Sequence, residues 1–251
     1  MVEAFFFGSG PHKLFATYHP AREVGGDVLT IICPPLFSEG MRTQFALREV
    51  AIALAESGQH VLRFDYRGTG DSSGTLAEMR VSDWLEDIQA VIREGLDVTG
   101  ANRVNFVGVR AGALFLCRAL REQQLADKVV LWDPISNGAD YIGQLRRIQS
   151  RMVDRNNYLS RRSRKLASEE LGGHRITEAL RKDIERLDAS VYKDVPARVV
   201  TVIETHENSS VEMDRARRQR IGFRCNWETD SEDLLVPQPV LEGIRQCLLA
   251  R

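Results

Sequence analysis

"GVRAG", residues 108–112, follows the apolar run "RVNF" and precedes "ALFLCRAL". A strand-like run, two glycines flanking a centre, and then apolar residues at helical spacing predict strand, sharp turn and helix. The centre of the turn is Arg110. A guanidinium stays protonated and offers only donors, so Arg110 cannot attack a carbonyl, and its charge is unfavourable unless something negative answers it.

Outward from that turn the same alternation recurs. "DVLTIICPP" is a nearly continuous apolar run ended by prolines, the pattern of a strand buried on both faces, and "FALREVAIALAESG" after it is helical, stopping at Gly58. "HVLRFDY" is the next strand with the loop "RGTGDSSG" behind it, "VSDWLEDIQAVIREGL" an amphipathic helix capped by Ser82, and "KVVLWDP" the strand that follows the turn and helix. "EAFFFGS" and "HKLFATYHPA" form an opening hairpin, while "ARVVTVIE", "GFRCNW" and the helix "PVLEGIRQCLLA" close the chain. This order predicts an α/β protein with a mostly parallel, doubly wound sheet. The alternation breaks over residues 139–190, which hold only helical and polar segments, so an inserted helical cap is expected between a core of 1–138 and 191–251. Within the cap, "RNNYLSRRSRKLASEE" is polar enough for a mobile loop.

With 251 residues and 43% hydrophobic content the chain is sized for one large core, and 27% charged residues at a net charge of −1 point to neither nucleic acid nor a membrane surface as partner. Cys33, Cys117, Cys225 and Cys247 are far apart and form no C-x-x-C pair, against both a zinc site and a disulfide framework. No apolar run reaches the ~18 residues of a membrane span. The expectation is a soluble cytoplasmic protein with no metal and no cofactor.

Taken together, "ICPPLFSEGMR", "LRFDYRGTGDSSG" and "GVRAG" resemble the loop after the third strand, the segment after the fourth and the nucleophile elbow of the α/β-hydrolase superfamily, over nearly the whole chain. More narrowly, "CPPLFSE", "LRFDYRGTGDS", "GVRAGA" and "LWDPISNGADYIGQLRR" resemble a bacterial group of serine-aminopeptidase-like or exosortase-associated hydrolase homologues, in which arginine recurs at the elbow. The resemblance implies an α/β-hydrolase fold; it does not by itself imply an activity.

Such an elbow works with a histidine base after the last strand and an acid after the sixth or seventh. Asp133 follows "VVLW", and Glu204 and Glu207 follow "RVVTVI", so either acid position is filled. The chain after "GFRCNW" holds no histidine. His206 lies beside the acid position, either as a displaced base or as a loop histidine; His12 and His19 belong to the hairpin, His60 to a strand start and His174 to the cap. Cys33, at the end of the third strand, is either an alternative nucleophile or a small buried packing residue. Ser38, Ser72 and Ser136 lie on the same side without a base.

Arg110, with Ala111 behind it, opens a helix whose N-terminus favours anions, and Asp133, Glu39 and Glu204 stand at neighbouring strand ends. Two roles follow for Arg110: a buried ion pair with one of those acids, or a planar fork presented to a carboxylate or phosphate. "RGTGDSSG" lacks P-loop spacing and is expected to be a turn of the fold. The cap carries Arg146, Arg147, Arg151, Arg155, Arg161, Arg162, Arg164 and Lys165, and "RARRQR" adds a second cluster, either as solvated faces or as a surface for an acidic partner. The expected function is binding of an acidic or acyl-type small ligand near Arg110 without serine-hydrolase chemistry. The alternatives are an ester, thioester or amide hydrolase with an unconventional nucleophile, and a scaffold that binds a protein partner through the basic cap.

Overall fold

Neighbouring residues on each central strand enter opposite cores, as the two-residue period of a strand requires. Leu29, Ile31 and Cys33 join Leu62, Phe106, Val129 and Leu131 on one face of the sheet, while Ile32, Val61, Val107, Val130 and Trp132 fill the other. The computed structural model describes residues 2–22, 26–122, 126–155, 170–205, 211–229 and 233–250, and all the strands among them form one sheet. They are β1 (Glu3–Phe7), β2 (Leu14–His19), β3 (Val28–Cys33), β4 (His60–Phe64), β5 (Arg103–Val109), β6 (Ala126–Trp132), β7 (Ala197–Glu204) and β8 (Arg217–Arg220). The spatial order is β1-β2-β4-β3-β5-β6-β7-β8, with β1 and β2 antiparallel to their neighbours and every other pairing parallel.

The first core is covered by α2 (Val81–Thr99) and α3 (Ala111–Leu120), which supply Trp84, Ile88, Val91, Leu114 and Phe115. The second is covered by α1 (Phe37–Glu56) and the closing helix α6 (Gln238–Leu249), through Leu47, Val50, Leu54, Ile244 and Leu248. Each such side chain contributes about 1.5–3 kcal/mol on burial. Between β6 and β7 come α4 (Gly138–Arg155), α5 (Glu178–Glu185) and a short 3₁₀ turn, Ala189–Tyr192.

The chain leaves β3 for α1 on one face and leaves β5 for α3 on the other. Since β3 and β5 are neighbours, their C-terminal ends bracket a crevice at which the winding reverses, the usual place for a site in an open α/β sheet. The first turn of α1 and the turn before α3 therefore meet. Gly112 fixes how closely: a Cβ there would press on the carbonyl oxygens of Cys33 and Pro34.

Four local expectations change. The helix after β3 begins at Phe37 instead of Phe45, because Gly40, which reads as a breaker, is required inside the helix where the backbone carbonyl of Pro35 lies close. Ser82 lies inside α2; the cap is Arg80, whose N–H donates to the Asp83 carboxylate at 2.7 Å. "GFRCNW" is not a strand, since its alternation of buried Cys225 and Trp227 with exposed neighbours belongs to an inward-turned loop. The edge strand is "RRQR", whose exposed pattern carries no apolar signal. "RNNYLSRRSRKLASEE" and the cap residues Arg161, Arg162, Arg164 and Lys165 lie largely or wholly outside the described residues. Among the described residues no helix is long and apolar enough to cross a membrane.

Gly112→Ala is expected to lower stability by roughly 1–3 kcal/mol through backbone overpacking. Urea denaturation measures this; an unchanged midpoint would show that the α3–β3 approach is looser than described.

Candidate functional site

Backbone strain marks the site. Among the described residues the positive-φ non-glycine positions are Phe37 (56°), Arg110 (52°), Asp133 (41°) and Asp194 (54°), and the first three stand just beyond the ends of β3, β5 and β6. Such conformations cost on the order of 1–3 kcal/mol each and persist where the surroundings hold them. At Arg110 the hold is visible: its N–H donates to the Trp132 carbonyl at 3.1 Å, continuing the β5–β6 ladder, and its carbonyl accepts from the Ala113 N–H at 3.1 Å, starting α3.

Arg110 is 6% exposed. Its Nε donates to Glu39 Oε1 at 3.1 Å, Nη1 to the Asp133 carbonyl at 3.2 Å and Nη2 to Gln144 Oε1 at 2.7 Å, and the guanidinium carbon lies 5.1 Å from the centre of the Trp227 ring. Glu39 is 1% exposed, so its charge is answered inside the protein. Besides Arg110, it accepts from the Tyr141 hydroxyl and the Gln144 amide, both at 3.4 Å. Burial pushes the Glu39 carboxyl above its ordinary range, and Arg110 is the main influence pulling it back. The Tyr141 hydroxyl is pushed well above its usual value by the same burial, so it stays a donor.

Asp133 is fully buried and takes a different part from the one an ion pair with Arg110 would require. Its carboxylate accepts from the Thr205 N–H at 2.7 Å, from the Thr205 hydroxyl, and from Trp227 Nε1 at 2.7 Å; only its carbonyl meets Arg110. Trp227 thus holds the acid with its edge while its face lies against the guanidinium. Arg42 pins the loop that carries it, donating to the carbonyls of Asn226 at 2.8 Å and Asp233 at 3.0 Å.

Of the residues singled out by sequence, the structure brings together Arg110, Glu39 and Asp133, with Ala111 buried at the start of α3. Glu204 is elsewhere: at the end of β7 it pairs with Arg218 at 2.6 Å and Arg220 at 3.5 Å. Cys33 is fully buried and its thiol is pushed up to about 12, so it is held as a neutral thiol. His206 and Glu207 lie outside the described residues. His60 bonds the Tyr18 hydroxyl at 2.7 Å, and His174 rests 5.1 Å from the Phe37 ring. The α4 arginines within the described residues are partly occupied at home, Arg147 on Glu228 at 2.8 Å and Arg151 on the Glu228 carbonyl at 2.7 Å.

Sequence inspection misses Tyr141, Gln144 and Trp227. Tyr141 and Gln144 are three apart on α4, hence on one helical face, but a polar residue on such a face carries no signal of its own. Beside this cluster lies a cavity of about 200 Å³, lined by Arg110, Ser136, Asp140, Gln144, Arg147 and Trp227 among others. Among the described residues no group of three His, Cys, Asp or Glu side chains is placed to hold a metal ion.

Trp227→Phe keeps a ring against Arg110 but removes the N–H to Asp133. Chemical denaturation is expected to show a loss of about 1.5–3 kcal/mol, the range for a hydrogen bond to a charged group. A loss within about 0.5 kcal/mol, typical of an inconsequential surface change, would mean that Asp133 does not depend on the indole.

The fold agrees with that of known proteins. Ferulic-acid-bound Est1E of Butyrivibrio proteoclasticus superposes with a TM-score of 0.69 at 17% identity, covering 98% of each chain. A protein of Agrobacterium vitis S4 assigned to the hydrolases gives 0.64 at 18%, covering 100% of this chain and 98% of its own. Mouse alpha/beta hydrolase domain-containing protein 10 gives 0.59 at 17%, covering 98% and 96%. At these identities the likeness carries the fold alone, and no curated protein sequence matches significantly. The family model of the serine aminopeptidases, S33, matches residues 41–206, more than half of the chain. With the strand order and the elbow in place, the chain belongs to the serine aminopeptidase S33 family of α/β-hydrolase-fold proteins.

Proposed function

We propose that this chain is a non-hydrolytic member of its family that works by binding, with Arg110 closing the elbow where a nucleophile would stand. The observation that carries this is the occupation of the guanidinium: each of its three nitrogens donates to a protein acceptor, on Glu39, Asp133 and Gln144. The acid that would orient a base is likewise occupied, since Trp227 Nε1 donates to Asp133 Oδ2 at 2.7 Å, the part an imidazole N–H plays in a Ser-His-Asp arrangement. A ligand-facing Arg110 has weaker support. Its charge is already answered by Glu39, and the adjoining cavity of about 200 Å³ is smaller than the ~300 Å³ at which ligand pockets begin. The four cysteines carry no disulfide, in keeping with a reducing compartment such as the cytoplasm.

The wild-type protein is expected to be inert to a fluorophosphonate probe and to short p-nitrophenyl esters. Stoichiometric labelling, or ester turnover removed by a single substitution, would overturn the proposal.

The same geometry predicts a gain. Arg110→Ser alone stays silent because its hydroxyl has no base, whereas Arg110→Ser with Trp227→His places an imidazole beside Asp133. The double variant is expected to label roughly 10²-fold faster than the single one, the lower range of general-base assistance. Rapid turnover by Arg110→Ser alone would reveal a base elsewhere, His206 being the first to examine.

A further inference from the structure

A second cavity lies away from Arg110, on the other side of the turn that joins β3 to α1. Its volume is about 400 Å³, and it is walled by the first half of α1, by β2 and β4, and by the loop after β4. Ile32, Leu36, Leu47 and Phe64 give it an apolar floor, and Arg63 and Asp65 also line it. Arg63 is on β4, and Asp65 follows just past its end, its N–H donating to the Phe15 carbonyl of β2 at 3.1 Å.

Arg63 and Asp65 attract one another electrostatically, but among the described residues no ion pair within 4 Å joins them, although both are partly buried. Arg63 Nε donates to His19 Nε2 at 3.3 Å, which fixes the plane of the guanidinium, and its two terminal nitrogens have no hydrogen-bond partner among the described residues. His19 can accept because burial keeps it neutral, with its pKa lowered to about 4. Asp65 Oδ2 accepts from the Asp71 N–H at 3.0 Å, and Oδ1 has no partner among the described residues. Gly70 allows this arrangement, since any Cβ at that position would collide with the Asp65 carboxylate.

The surrounding charges sharpen the contrast. Arg48 on α1 acts electrostatically on Arg63, and Asp71, itself on the cavity wall, acts on Asp65. The cavity wall therefore carries a basic and an acidic group beside an apolar surface. A lone anion would satisfy the first and be repelled by the second; a lone cation would meet the reverse. A molecule carrying both charges on adjacent atoms, with an apolar substituent, answers all three features and offsets the desolvation of both side chains.

We propose that this cavity binds a small zwitterion of the α-amino-acid type, its carboxylate on Arg63, its ammonium on Asp65 and an aliphatic or aromatic side chain against Ile32, Leu36, Leu47 and Phe64. The site is separate from the Arg110 cluster, and its occupancy does not depend on whether the elbow is catalytic.

The test uses calorimetry and thermal melts of the full chain with L-leucine and L-phenylalanine at millimolar concentration. Two kinds of matched control accompany them: isocaproate and 3-phenylpropionate, which lack the ammonium, and isopentylamine and phenethylamine, which lack the carboxylate. The amino acids are expected to bind and raise the melting temperature, and each single-charge analogue to bind at least about tenfold more weakly. Asp65→Asn and Arg63→Gln are each expected to weaken amino-acid binding by about tenfold or more. If Arg63→Gln does not fold, Asp65→Asn and the wild-type analogue series still decide. The proposal is overturned if neither amino acid binds the wild type, if single-charge analogues bind as tightly, or if a folded Asp65→Asn binds unchanged. Tighter binding of leucine amide or a leucyl dipeptide than of leucine would overturn the free-carboxylate assignment in favour of an amine-terminal ligand.

Discussion

A permanently charged guanidinium placed where two strand ends part must be compensated by the protein around it, and the pairing of Arg110 with Glu39 at 3.1 Å is that compensation. Burying either charge alone costs several kcal/mol, and attraction across a low-dielectric gap repays it only with good geometry and further hydrogen bonds. Those further bonds recruit the rest of the site. Glu39 comes from the first turn of α1, Gln144 and Tyr141 from α4, the Asp133 carbonyl from the end of β6 and the Trp227 ring from the loop after β8. One side chain at the elbow thus ties together both layers of the sandwich and the segment between β6 and β7. The positive φ angles of Phe37, Arg110 and Asp133 lie around the same cluster.

Asp133 and Trp227 form a second layer with its own logic. A buried carboxylate needs donors, and here they are the Thr205 backbone and hydroxyl and an indole N–H. Tryptophan can donate but cannot accept a proton, so it satisfies the acid without becoming a base. That difference separates a site that holds its acid in place from one that uses it, and it supports the non-hydrolytic proposal independently of Arg110.

Much of this was legible in the sequence, for identifiable reasons. The central strands are apolar on both faces, and the glycines of "GVRAG" and the helix that follows mark the elbow. Glu39 and Asp133 could be placed near Arg110 because each stands just past a strand that must end at the same edge. Besides the site residues of α4 and the cap of α2, two features of the fold were hidden by their local pattern. The Trp227 loop imitates a strand because burial alternates along it, while the true edge strand Arg217–Arg220 is polar on both faces and stays in register through pairing with β7. The early start of α1 is hidden by Gly40, a helix breaker in isolation but the residue that fits under the Pro35 carbonyl. In both cases tertiary contact outweighs local preference.

The most direct measurement is a double-mutant cycle on Arg110 and Glu39, using Arg110→Ala, Glu39→Ala and the double variant in chemical denaturation. Arg110→Ala is predicted to lose roughly 3–5 kcal/mol because it leaves Glu39 buried and unpaired, and removing both should cost little more than removing one. Losses that add to within about 0.5 kcal/mol would contradict the account, because the two residues would then act independently.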